Sequence, residues 1–176
     1  MPAIGQLAPT FKLPDTGGVM RAPGAAPATV VVFTCNHCPY ALAWHERLID
    51  VARDYADLGV SMLAINPNDT ERYPRDSLEA MRERVSRGDF DRVPYLRDES
   101  QEVAHAYDAK TTPDVFVLDA DGVLRYRGAP DSDYEHSELR AAWLRLALDA
   151  VLDARDADPA ETPPVGCSIK WKQQPL

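Results

Sequence analysis

The sequence predicts a single α/β domain in which a central mixed sheet is covered by helices on both faces. Three observations carry that expectation. Short apolar, mostly β-branched runs alternate with helix-periodic segments through most of the 176 residues. Right-handed crossovers make the strands of such an alternation parallel and put helices on both sides of them. Later, two apolar runs flank Asp119-Ala120-Asp121-Gly122, a β-hairpin pattern that adds antiparallel strands. The length suits one domain with a sizeable core.

Residues 1 to 27 read as an N-terminal hairpin extension. Phe11-Lys12-Leu13 forms a short strand, Pro14-Asp15 and Gly17-Gly18 supply turn chemistry, and Val19-Met20 return. The core, residues 28 to 154, opens with Val30, Val31, Val32 and Phe33 as a buried strand. Leu48, Val51, Ala52, Tyr55 and Leu58 fall at helical spacings, so a helix is expected over 39–57, stopping near Gly59. A second strand runs from Val60 to Ile65, and Asn66-Pro67-Asn68-Asp69 break the pattern. Asp76 followed by Glu79 matches a capping box for a helix carrying Leu78, Met81 and Val85 to Gly88. A short strand at Val93–Leu96 and a short helix over 99–107 follow, then the hairpin of Val115–Leu118 and Val123–Arg127. The last helix is expected over about 137–154, with Leu139, Trp143, Leu146 and Ala150 on one face, which makes Trp143 a core residue. Pro14 to Pro27 and Pro159 to Pro164 read as connections across the surface. Residues 155 to 176 are expected to dock as a tail, because Ile169 and Trp171 alternate with lysines and the indole is costly to leave in water.

With 19 Lys plus Arg against 28 Asp plus Glu, the net charge of −9 argues against a nucleic-acid groove or an anionic membrane surface. Met1-Pro2-Ala3-Ile4-Gly5 has no basic region followed by an apolar core, and no apolar run approaches membrane length. A cytoplasmic location is therefore expected. Three cysteines are too few for a secreted disulfide framework, so in a reducing compartment a close pair reads as catalytic.

That pair is Cys35-Asn36-His37-Cys38, at the strand-to-helix junction. Unpaired backbone N–H groups and the helix dipole favour a negative charge there, so Cys35 is expected to ionise easily and to be exposed, with Cys38 one turn inside. A thiolate attacks a disulfide, and a second thiol two residues on displaces the mixed disulfide, so Cys35 is the attacking and Cys38 the resolving candidate. His37 offers a cation inside the motif, and Pro39 fits the first helical turn. No part of this chemistry needs a cofactor. A structural zinc site wants four ligands, and the chain has no second Cys-x-x-Cys or paired histidine, so no metal is expected. Thr111-Thr112-Pro113 precedes the Val115 strand, where the proline is either an edge-strand breaker, the commoner case, or a cis-proline in a tight turn.

A strand, Cys-x-x-Cys, a helix, and then Thr-Pro before a hairpin resemble the thioredoxin superfamily, from about residue 28 to 154. The resemblance implies a thioredoxin-like fold with Pro113 cis and packed against the active disulfide, and Asn36, Pro39 and Thr112 as substrate-contacting positions. Gly5-Gln6-Leu7-Ala8-Pro9-Thr10-Phe11-Lys12-Leu13-Pro14 resembles the N-terminal hairpin of the peroxiredoxin-like branch, the alkyl hydroperoxide reductase and thiol-specific antioxidant type. Phe33-Thr34-Cys35-Asn36-His37-Cys38-Pro39-Tyr40 and the tail Gly166-Cys167-Ser168-Ile169-Lys170-Trp171-Lys172 are similar to a bacterial group of redoxin-like proteins.

Several positions depart from these families. Thioredoxins carry Trp-Cys-Gly-Pro-Cys where this chain has Thr-Cys-Asn-His-Cys, and their buried acid corresponds to Thr29. Peroxiredoxins place Thr three and Pro seven residues before the peroxidatic cysteine; counted from Cys35 these are Val32 and Ala28, and from Cys38 they are Cys35 and Val31. Copper-delivering members use Cys-x-x-x-Cys-Pro, one residue longer between the cysteines.

The expected function is a thiol–disulfide oxidoreductase, with an antioxidant or redox-homeostasis role implied by the resemblance. Its partner would be a protein or small-molecule disulfide. One alternative is thiol-dependent peroxide reduction. Another is metal or copper handling by Cys35, Cys38 and a histidine from outside the motif, His105 or His136. Cys167 is either a small buried residue that helps the tail dock or a third redox thiol.

Overall fold

The computed structural model of the protein describes residues 2–175. In chain order, β1 (Leu13–Pro14) and β2 (Met20–Arg21) form the N-terminal hairpin, followed by β3 (Ala28–Phe33), α1 (Pro39–Ala56) and β4 (Ser61–Asn66). Next come α2 (Leu78–Ser86), β5 (Tyr95–Arg97), α3 (Glu102–Ala106) and the two-residue β6 (Thr111–Thr112). The hairpin β7 (Asp114–Asp119) and β8 (Leu124–Gly128), α4 (Ala142–Leu152) and β9 (Cys167–Ser168) complete the chain. The five-stranded sheet has the order β5-β4-β3-β7-β8, with β3, β4 and β5 parallel and β7 and β8 antiparallel. The sheet is therefore mixed, as the sequence predicts, and β3 at its centre delivers the cysteine motif.

Alternation along β3 divides the core in two. Val30 and Val32 point to the face covered by Leu48, Ile49 and Val51 of α1, Met81 of α2, and Leu144, Ala147 and Leu148 of α4. Val31 and Phe33 point to the other face, against Val103, Ala104 and Tyr107. Phe11 and Leu13 from the N-terminus, with Ile169 and Trp171 from the tail, complete that second layer. Each buried Leu, Ile or Phe stabilises the fold by about 1.5–3 kcal/mol, so the extension and the tail add to the cover that the five-residue α3 gives this face. No helix of the described residues is long and apolar enough to cross a membrane.

The structure corrects several sequence expectations. The N-cap of α2 is Ser77, whose Oγ accepts from the Ala80 N–H at 3.1 Å. Asp76 is not a cap; it is wholly buried and turns toward the cysteines. The expected helix over 137–154 is broken: Ser137–Leu139 form one 3₁₀ turn, and Arg140 and Ala141 take left-handed backbone before α4 begins. Asp131 holds that bend by accepting the Ala141 N–H at 2.8 Å. The re-phased helix buries Leu144, Ala147, Leu148 and Ala150, leaving Leu146 51% exposed and Trp143 partly buried at the margin of the core. At the other short helix, Gln101 is left-handed, so α3 starts only at Glu102.

Candidate active site

The motif lies where β3 ends. Thr34 N–H still bonds to Ile65 O at 2.8 Å, and the chain then turns so that Cys38 becomes the extended N-cap of α1, with Pro39 as its first residue. A proline fits there because the missing N–H has no helical partner to lose. Cys38 N–H donates to Cys35 Sγ at 3.3 Å. The peptide between Thr112 and Pro113 is cis, which settles the two readings of that proline. Thr112 meets both sulfurs: its Oγ1 is 3.3 Å from Cys35 Sγ, and its carbonyl accepts from Cys38 Sγ at 3.2 Å. The expected exposure of Cys35 is not found, because both sulfur residues are 1% exposed. They are covered by Tyr40 and by Cys167 of the tail.

A buried carboxylate reaches the motif, from the loop after β4 rather than from the Thr29 position. Asp76 accepts the Asn36 N–H at 2.7 Å, Asn66 Nδ2 at 3.1 Å and Asn68 Nδ2 at 3.0 Å. His37 Nδ1 approaches it to 2.7 Å, an ion-pair distance rather than an aligned hydrogen bond. The imidazole, expected beside the thiols, thus also faces a carboxylate, and it lies parallel to the Tyr73 ring with centroids 5.8 Å apart. Asn36 is turned into the same network: its Oδ1 accepts from Tyr95 Oη at 2.7 Å and from Arg84 Nη1 at 3.1 Å. Arg84 also donates to the Cys35 carbonyl at 3.3 Å and lies over the Phe90 ring. Pro39 is exposed at the rim.

The two thiols share a proton. The hydrogen bond between them pushes Cys35 up and pulls Cys38 down, to about 4. Burial and the Asp76 charge add to the rise at Cys35, and the Thr112 hydroxyl opposes it. Donors from Cys167 and from the Ala41 backbone help lower Cys38 against its own burial. The direction of both shifts favours the shared proton on Cys35. When Cys38 carries it, the Thr112 carbonyl is in place to receive the S–H.

β9 pairs antiparallel with β6, setting Cys167 opposite Thr112 and in side-chain contact with Cys38. Burial, then Cys38, push the Cys167 thiol up to about 11. The tail beyond is firmly held. Lys170 N–H donates to Asn68 Oδ1, Gln101 Nε2 to Lys170 O, and Lys172 N–H to Gln101 Oε1, at 2.9, 3.0 and 2.9 Å. Ile169 is buried and Trp171 stacks on His105 at 4.1 Å.

Cys35, Cys38, Thr112, Pro113 and Cys167 are thus gathered in one place. His105, under Trp171, and His136, exposed and paired with Glu138, do not supply the outside ligand that a copper site would need. Among the described residues, the group with metal-ligand spacing is Cys35, His37 and Asp76, whose donor atoms lie within 4.8 Å of one another. Sequence reasoning missed Asp76, Asn66, Asn68 and Arg84. The available signal was three amide or carboxylate residues, Asn66, Asn68 and Asp76, shortly after the carboxyl end of a parallel strand.

A Cys-x-x-Cys at a central strand-to-helix junction, closed over by a cis-proline loop, defines a redoxin of the thioredoxin superfamily. The chain belongs to the AhpC/TSA family, whose profile matches residues 4–127. An uncharacterized conserved protein from Geobacillus kaustophilus is 40% identical with a TM-score of 0.92, over 99% of this chain and 95% of that one. A hypothetical protein from Sinorhizobium meliloti 1021 is 37% identical with a TM-score of 0.90, over 99% and 97%. A candidate thiol:disulfide interchange protein DsbE from Chlorobium tepidum shares the fold, with a TM-score of 0.69 at 18% identity over 86% and 99%. The methylamine utilization protein MauD of Methylorubrum extorquens is 27% identical over 141 residues, 78% of this chain and 62% of its own length.

Proposed function

We propose that the protein is a thiol–disulfide oxidoreductase in which Cys35 attacks a substrate disulfide and Cys38 resolves the mixed disulfide. The observation that carries this reading is the shared environment of the two sulfurs, joined to each other and both held by Thr112 next to cis-Pro113. Cys35 hands its proton to Cys38, whose S–H the Thr112 carbonyl accepts, and its sulfur then bonds to one substrate sulfur while the other leaves as a thiolate. Cys38 gives its proton to the thiolate that has left and attacks Cys35 Sγ; the Cys35–Cys38 disulfide forms as the bond from Cys35 to the substrate breaks, and the second substrate sulfur departs as a thiolate. Cys35 is assigned the first attack from its place before the N-cap of α1, and Cys38, the N-cap itself and in contact with the tail, the resolving step. His37, Asp76 and Arg84 act as positioning groups. The proposed substrate is a protein or small-molecule disulfide, and the proposed setting is a reducing compartment.

The test follows release of a chromogenic thiol from an aromatic disulfide. Cys35→Ser is expected to abolish the reaction, and Cys38→Ser to accumulate a mixed disulfide visible by mass. Full reactivity of Cys35→Ser would reverse the assignment. Peroxide consuming the protein thiols much faster than it consumes free cysteine, with no disulfide exchange, would replace it with a peroxidase. The spacing of Cys35, His37 and Asp76 favours a metal-binding reading as the second possibility. Metal content of the purified, reduced protein tests it, a stoichiometric ion supporting that reading and its absence leaving the dithiol chemistry alone.

A further inference from the structure

Both cysteines of the motif are 1% exposed, so neither offers an incoming reductant as open an approach as a partly exposed thiol would. A thiolate that reduces a disulfide must reach one sulfur in line with the bond that breaks. Cys167 is the outermost of the three thiols and the only one that is partly exposed. It is not a lone surface cysteine. The β6–β9 ladder fixes it opposite Thr112, the residue that holds both catalytic sulfurs, and its side chain meets Cys38. The chain on its far side is pinned by Ile169, Lys170 and Lys172, so the contact does not depend on a wandering tail.

From this placement, and resting on the oxidoreductase reading above, we infer that Cys167 is a third redox thiol that carries the oxidised state from the buried pair to the surface. The Cys167 thiolate attacks Cys38 Sγ of the Cys35–Cys38 disulfide. The Cys38–Cys167 bond forms as the Cys35–Cys38 bond breaks, and Cys35 leaves as a thiolate that takes up the proton Cys167 gave. No electrons leave the protein in this step. A dithiol reductant then attacks Cys167 and releases Cys38 as a thiolate. Its second thiol displaces Cys167, so two electrons enter and the reductant leaves as a disulfide. Burial, and after it Cys38, hold Cys167 protonated while the protein is reduced, and the part due to Cys38 is lifted once Cys38 is bonded to Cys35.

The experiment oxidises the reduced full-length protein, and separately Cys35→Ser, with one equivalent of diamide. Acid quenching, alkylation, non-reducing digestion and mass spectrometry follow. Both proteins are expected to yield the Cys38–Cys167 peptide pair, the wild type together with Cys35–Cys38. Circular dichroism confirms that the serine variant is folded. A wild type that gives only Cys35–Cys38, together with a folded Cys35→Ser whose two thiols are both alkylated, overturns the inference. That outcome leaves the proposed function standing, since the latter is read from substrate disulfide reduction. Cys35→Ser isolates the tail in turn, because it forms the Cys38–Cys167 bridge without the thiol that the proposed function requires.

Discussion

Replacing Asp76 with Asn tests the electrostatics of the site most directly. The carboxylate is fully buried, and its nearer oxygen lies within 4.8 Å of Cys35 Sγ. At that separation and an effective dielectric of about 20, two negative charges repel by about 3.5 kcal/mol, or about 2.5 pKa units. The donors from Asn36, Asn66 and Asn68 already take up part of the field, so the expected fall in the Cys35 pKa is about one to two units. The pair must first be uncoupled, so the substitution is made with Cys38→Ser and Cys167→Ser, leaving Cys35 to titrate alone. Alkylation by iodoacetamide is followed from pH 5 to 11. A fall of two units raises the thiolate fraction about a hundredfold, while lower nucleophilicity returns about a factor of ten, for a net gain near neutral pH of about tenfold. An alkylation midpoint that stays in place or rises, in a protein with unchanged near-UV circular dichroism, would refute the reasoning. The asparagine also turns an amide toward a donor that Asp76 now accepts, which costs about 1–3 kcal/mol, so urea denaturation is measured alongside.

His37→Pro removes the ring nitrogen that sits 2.7 Å from Asp76 and should make the Cys35–Cys38 disulfide more reducing; equilibration with glutathione reads the shift, and an unchanged potential would sink the idea. Asp131→Ala strands the buried Arg47 and leaves Trp44 Nε1 and the Ala141 N–H without an acceptor, with an expected loss of about 3–5 kcal/mol in urea denaturation. Burial pushes the Asp114 carboxyl up to about 6, against the Lys110 N–H and Arg127. An acid with a raised folded-state pKa gives stability that is fully present below its ordinary value near 3.8 and lost as pH rises to about 6, here about 3 kcal/mol. Subtracting the stability profile of Asp114→Asn from that of the wild type over pH 3.5–7 should expose that decline, and a flat difference would contradict it.

The elements legible in the sequence are those whose pattern is set by local burial. β3, α1, β4 and the β7–β8 hairpin follow from runs and spacings that one face of a sheet or helix imposes. Asp76 was legible only as a helix-start signal, because an acidic residue followed three positions later by Glu looks the same whether or not its side chain turns inward. What turned it was tertiary: Asn66, Asn68 and the Asn36 backbone all offer donors on the inner side, and Ser77 was free to cap α2. The last helix failed for a related reason. Leu139, Trp143 and Leu146 do recur at helical spacing, but Asp131 draws the Ala141 N–H inward and shifts the phase, so Leu144 and Leu148 face the sheet instead. The cis state of Pro113 came from the family resemblance, since local sequence alone favoured the trans alternative.

Gly166 has a consequence for how accurately the three thiols are aligned. A Cβ there would lie 2.4 Å from the Thr112 carbonyl oxygen and 2.8 Å from its carbon, and because these are backbone atoms they cannot swing aside. A ladder of two residues is too short to fix its own register by hydrogen bonding. A slip of one position would reverse the direction of every side chain on β9 and turn Cys167 away from Cys38. It would also bring a residue with a Cβ into the place that only glycine fills, so steric exclusion selects the register that the ladder alone could not. An alanine at position 166 would therefore be felt first at a sulfur one residue away, as a misaligned thiol in a protein whose core is otherwise intact.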